Sequence, residues 1–110
     1  MPNKEVLLDT SIIIDFLRRK NKKETKFYSL AASNADLKIS ILTHTELYAG
    51  KSVWEKKKAQ QELETIFGGL EIFNLKPKIS KRAGKIRAEH NIDLIDAVIA
   101  ATALEHKLPL

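Results

Sequence analysis

The chain has 110 residues, enough for one domain and too few for two. Hydrophobic residues make up 44% and charged residues 30%, a globular balance that excludes a disordered tail; the lack of cysteine excludes disulfides and cysteine-ligated metal centres. Lys and Arg number 19 against 14 Asp and Glu, and the resulting charge of +5 favours polyanionic partners without saying anything about the fold. The opening apolar run is too short for a secretory signal, and no stretch approaches the roughly 18 apolar residues of a membrane span, so a cytoplasmic protein is expected.

Glu5-Val6-Leu7-Leu8 reads as a short buried strand ending at Asp9. From Ser11 the period changes to that of a helix, with Ile12, Ile13, Phe16 and Leu17 on its apolar face. An exposed basic loop follows from Arg18 to Lys23, then a helix over Glu24 to Asn34 with Phe27, Leu30 and Ala31 inward. Leu37 to Ile41 alternates as a strand does. Thr43 is expected to open a short helix ending near Gly50, and a longer one runs from Ser52 to Phe67 on the stripe Ala59, Leu63, Ile66 and Phe67. Gly68-Gly69 stops it before a third strand, Glu71 to Leu75. Pro77 opens a helix to about His90, with Ile79, Ala83 and Ile86 inward and Lys78, Lys81, Arg82 and Lys85 on another face. The last helix, Leu94 to about Lys107, is apolar almost all round and is expected to be buried on both sides. Short strands alternating with helices, without repeats or linkers, predict one α/β domain over residues 1–110, a short parallel sheet flanked by helices on both faces.

Loops at the carboxyl ends of parallel strands form the ligand crevice of such a sheet. Asp9 follows the first strand, Glu46 is expected in the first turn of the helix after the second strand, and Asp96 in the first turn of the last helix. Each has a structural explanation: Thr43 to Glu46 has the form of a capping box, Asp9 is placed to cap the first helix, and Asp93 to cap the last with Asp96 favoured by the helix dipole. Asp96 is the only charged side chain between Leu94 and Leu104, however, and carboxylates brought together repel unless a cation neutralises them. A hard divalent ion such as Mg²⁺ is the economical partner, and it lowers the pKa of a bound water and neutralises charge on a phosphodiester. No serine, cysteine or histidine arrangement competes, and His44, His90 and His106 read as surface or helix-end residues.

Leu7-Leu8-Asp9-Thr10-Ser11, Thr45-Glu46-Leu47 with Gly50, and the run from Asp96 through His106 resemble, in order and spacing, the three motifs of PIN-domain ribonucleases of the VapC toxin type. The resemblance implies a toxin-type endoribonuclease in which Asp9, Glu46 and Asp96 hold Mg²⁺ or Mn²⁺. It further implies that Thr10 or Ser11 serves the substrate side by orienting the first carboxylate or a bound water. RNA would be the substrate, a cognate antitoxin the partner, and the homodimer the usual assembly. The family continues after the last helix into a strand and a loop carrying a fourth acid, and residues 108–110 stand where that strand would begin. Asp15 and Asp93 do not match this fourth motif. The alternative is therefore a catalytically weakened PIN remnant that binds antitoxin or RNA without turnover. A receiver-like phosphate-handling domain lacks support, because neither the acceptor aspartate on a central strand nor the following lysine motif is present.

Overall fold

Three parallel strands set the frame: β1 (Glu5–Leu7), β2 (Asp36–Ser40) and β3 (Glu71–Phe73), with β2 in the centre. Val6 pairs with Leu37, and Ile39 with Ile72. The computed structural model describes residues 4–109. Between β1 and β2 lie α1 (Thr10–Arg18), a 3₁₀ turn (Lys22–Glu24) and α2 (Lys26–Ala32). Between β2 and β3 lie α3 (Ile41–Tyr48), α4 (Lys51–Glu55) and α5 (Lys57–Gly68), and after β3 come α6 (Pro77–His90) and α7 (Leu94–His106). The expected α/β architecture with helices on both faces of a parallel sheet is what the chain adopts.

The two faces of the sheet are covered unequally, because alternate residues of a strand point to opposite sides. Val6, Leu8, Leu37 and Ile39 form one core with Ile13, Phe27, Leu47, Leu63 and Ile66 from α1, α2, α3 and α5. On the other face Leu7 packs on Ile99 and Ala103 of α7, with Phe73 and Leu108 beside them. Behind α7 lies α6, joined to it through Ile79, Ala83, Ala97, Val98 and Ala101. Small residues at that seam let the two helix backbones come close. No described helix is long and apolar enough to cross a membrane.

Several boundaries differ from the sequence reading. The helix expected to start at Thr43 starts at Ile41, because Ser40 caps it by accepting a hydrogen bond from Leu42 N. The helix expected over Ser52 to Phe67 is broken at Lys56, whose extended backbone (φ −127°, ψ 116°) separates α4 from α5. No Gly or Pro marks that break; packing overrides propensity there, with Val53 in the core and Trp54 turned back to donate from Nε1 to Tyr48 O at 2.7 Å. Helix α7 is not buried all round. Ile95, Ile99 and Ala103 face the sheet and Ala97, Val98 and Ala101 face α6, while Leu94 and Leu104 remain 58% and 53% exposed. After α7 a left-handed Lys107 (φ 54°) turns the chain, and Leu7 N donates to Pro109 O at 3.1 Å on the edge of β1 away from β2.

Candidate active site

The best-determined part of the site is a chain of three buried or half-buried side chains linking α1 to α3. Asp9 caps α1, so Thr10 is the first helical residue and its side chain turns inward, 5% exposed. In α3 the cap at Ser40 places Thr43 one turn in, where it is fully buried, and Glu46 one turn further on the same side. Thr10 Oγ1 lies 3.0 Å from Thr43 Oγ1 and 2.6 Å from Glu46 Oε1. A hydroxyl carries one proton, so the consistent arrangement has Thr43 donating to Thr10 and Thr10 donating to the carboxylate. The shorter contact is the charge-assisted one. Glu46 is thereby fastened through one oxygen, which leaves the second to another partner. Thr43 is no helix cap, and the capping-box explanation of Glu46 falls with it.

Asp9 and Asp96 are held differently. Asp9 is half-buried, and its Oδ1 accepts from Ser11 N at 2.7 Å. It lines a cavity of about 330 Å³ at the edge of β1, with Lys26, Leu30 and Pro109. Glu46 lines a separate cavity of about 370 Å³, with Arg18, Ser52 and Glu62. Asp96 is exposed, on the stripe Asp96, Ala100 and Leu104 that neither the sheet nor α6 covers. The expectation that burial would make its charge costly is therefore corrected: it lies on the one side of α7 open to water. Among the described residues, no three acidic or histidine side chains lie close enough to share a metal ion. Oxygen-only donors suit a hard cation in kind. In place, Glu46 is bonded to Thr10, the residue after Asp9, but Asp9 and Glu46 line separate cavities and Asp96 is exposed on α7, so the residues do not form a preassembled three-carboxylate centre.

The roles expected of Thr10 and Ser11 separate. Thr10 is buried and committed to Glu46, which makes it a positioning residue with no open face for substrate. Ser11 is exposed, and its backbone N–H orients Asp9. Asp93 stands at the N-cap position of α7 but makes no side-chain cap hydrogen bond, and Asp15 pairs with Arg19 at 3.1 Å. His44 is no surface residue; it is half-buried between Tyr48 and Phe67, with ring centroids 4.9 and 4.6 Å away. His106 stacks flat on Phe73 at 3.9 Å.

Two partners were not anticipated from the sequence, Thr43 as the second hydroxyl and Lys38 on β2. Ser40 directly after a strand is a good cap residue, and moving the helix start there would have placed Thr43 on the inward face. Lys38 is 7% exposed and bonds Glu71, with Glu5 3.7 Å away, so one cation joins all three strands. The hydrogen bond that Lys38 donates to Glu71 is the main cause that raises the Lys38 pKa above its ordinary value, and burial acts against it. At the far end of α7, Glu105 bonds Arg82 at 2.8 Å and lies 3.4 Å from Lys78; the Arg82 hydrogen bond is the main cause that lowers its pKa.

The model of the PIN domain matches residues 6–110. Among solved structures, the chain is similar to a chain of a toxin–antitoxin complex from Klebsiella pneumoniae, with 31% identity and a TM-score of 0.73 over 94% of this chain and 81% of that one. It shares the fold of a chain of DNA-bound VapBC from Salmonella typhimurium, at 24% identity and a TM-score of 0.77 over 97% and 83% of the two chains. The same holds for VapBC2 from Rickettsia felis bound to a fragment of its promoter, at 23% identity and a TM-score of 0.75 over 94% and 83%. No curated protein matches the chain. A family match over nearly the whole length, on a parallel sheet carrying Asp9, Glu46 and Asp96 beyond or beside its strands, leads to one conclusion: the chain belongs to the PIN domain family.

Proposed function

We propose that the chain is a toxin-type endoribonuclease that hydrolyses RNA phosphodiester bonds in the cytoplasm, with a cognate antitoxin as its protein partner and a homodimer as its working form. The observation that carries the reading is the hydrogen-bonded chain Thr43–Thr10–Glu46, which fixes a carboxylate beside the residue that follows Asp9, in a chain of the PIN family. The relay takes two hydroxyls out of solvent, and its end point is an acid whose other oxygen has no hydrogen bond among the described residues. The similarity to a chain of a toxin–antitoxin complex supports the toxin assignment and the antitoxin partner.

Asp9, Glu46 and Asp96 are the proposed ligands of Mg²⁺ or Mn²⁺, which when bound supplies an activated water and positive charge opposite the phosphodiester oxygens. The chain's own contribution is positional. Ser11 N–H orients Asp9, Thr10 orients Glu46, and Asp96 is free to turn because it lies on the open stripe of α7.

The second reading, a PIN remnant that binds without turnover, is favoured by one observation: no three carboxylates converge among the described residues. Incubating the purified chain with structured RNA in Mg²⁺ or Mn²⁺, and again in EDTA, separates the two. Cleavage that stops with EDTA and is lost in both Asp9→Ala and Asp96→Ala is expected for the nuclease. Cleavage retained in both variants overturns that assignment, and no cleavage with intact RNA binding selects the remnant.

A further inference from the structure

Outside the acidic site, the outer face of α6 carries a dense row of positive charge. Lys78, Lys81, Arg82, Lys85 and Arg87 stand against Glu89 alone on that helix, and all six are exposed. Lys78, Lys81, Arg82 and Lys85 recur at i, i+3, i+4 and i+7, and so share one side of the helix. At 1.5 Å per residue the row spans about 10 Å, roughly three stacked nucleotides. They line a shallow cleft whose remaining wall is Glu105 of α7.

Glu105 sorts these cations into two kinds. It bonds Arg82 and pairs with Lys78, holding both against α7, with its own side chain only 17% exposed. Lys81 and Lys85 have no ion pair among the described residues. The cleft therefore keeps a net positive charge with two ammonium groups uncommitted.

The chemistry of the ridge favours a phosphate backbone over a protein. Protein interfaces centre on aromatic and aliphatic anchors, and α6 has no large exposed hydrophobic side chain. Lysines spaced along a helix read charge and carry no base specificity. We propose that the outer face of α6 is a docking ridge for the phosphate backbone of RNA, in which Lys81 and Lys85 make the free contacts and Glu105 holds Arg82 and Lys78 in place. This rests on the reading of the chain as an RNA-directed protein and adds to it where the RNA lies.

The test is equilibrium binding of a labelled 20-nucleotide single-stranded RNA to the intact chain in EDTA, by fluorescence anisotropy across a NaCl series. Each phosphate contact to a single strand contributes about 0.7 to the slope of log K against log salt, so Lys81→Ala/Lys85→Ala is expected to reduce the slope by about 1.4. Lys57→Ala/Lys58→Ala removes the same charge from α5 and is expected to leave the slope nearly unchanged. All four lysines are exposed, so the variants keep the fold. The proposal is overturned if the α6 variant keeps the wild-type slope, if the α5 variant lowers it equally, or if the chain binds no RNA. Displacement by a 20-base-pair DNA duplex at equal concentration would make DNA the partner and overturn it too. Cleavage is read separately with metal. Binding that depends on α6 without cleavage keeps the ridge and sinks the nuclease, whereas cleavage with an unchanged slope does the reverse.

Discussion

Glu46 and Asp96 stand on helices that touch, since Leu42 of α3 packs into the seam between α6 and α7, yet the two acids are held in opposite ways. Glu46 belongs to the well-covered half of the molecule, where α1, α3 and α5 close over one sheet face and a buried threonine, itself bonded to a second, reaches its carboxylate. Asp96 belongs to the α6–α7 hairpin, where α7 alone covers the other sheet face and its third side is left to water. In the proposed site this difference would divide the labour: the acid tied into the core would provide a fixed reference, and the acid on the open stripe adaptability and access.

That contrast breaks most readily at Asp96. Asp96→Asn is expected to lower RNA cleavage by about a hundredfold or more, the scale of losing one charged group that stabilises a transition state, while stability stays within about 0.5 kcal/mol. A substantial fall in the unfolding midpoint would mean that Asp96 is structural, and the contrast would be wrong. Thr43→Val tests the opposite side. It removes the hydroxyl that donates to Thr10, whose own proton still goes to Glu46, and is expected to cost about 0.5–1.5 kcal/mol in denaturant unfolding. Cleavage should fall about 10–100-fold through misplacement of Glu46, and Thr43→Ser should restore most of both. Equal cleavage by Thr43→Val and wild type would show that the relay is packing alone.

Smaller effects sharpen the comparison within the sheet. Lys38→Met keeps an aliphatic stem of similar length and removes the charge that lies over the Phe73 ring and between two half-exposed glutamates, so a cost of about 1 kcal/mol or less is expected. The sign with pH follows from the raised pKa. The contribution is fully present below the ordinary lysine value of 10.5 and is lost as pH rises through the higher folded value, so variant and wild type should converge in strong alkali. Glu105 gives the opposite sign. Its pKa is lowered from 4.5, so its contribution is present above that value and is lost as pH falls through the folded one. Glu105→Gln is expected to be the mildest change, visible as a slightly shallower loss of stability in acid. A steeper loss would remove Glu105 as the partner of Arg82.

Much of this molecule could be read from periodicity. The strand beginning at Glu5, the cap at Asp9, the stripe of α5 and the proline start of α6 follow from local rules, since side-chain spacing and capping act over one or two turns. The acids Asp9, Glu46 and Asp96 were legible as candidates for the same reason, each beyond a strand or early in a helix. What sequence alone determined, then, is the order of strands and helices apart from the break at Lys56, the family motifs and the charge on α6.

Tertiary structure decided the rest. Whether α3 starts at Ile41 or Thr43 is a shift of two residues that local pattern leaves open, but only the first puts Thr43 and Glu46 on the side facing α1. The break at Lys56 carries no turn residue, and it exists because Val53 and Leu63 serve the same core from differently directed helices. Helix α7 reads as apolar on every side, and its alanines are too small to show which side is covered; only the placement of α6 leaves the stripe of Asp96, Ala100 and Leu104 in water. Partners separated by 33 and 36 residues, as Thr10 is from Thr43 and Glu46, are brought together by packing, and no spacing rule along the chain records them.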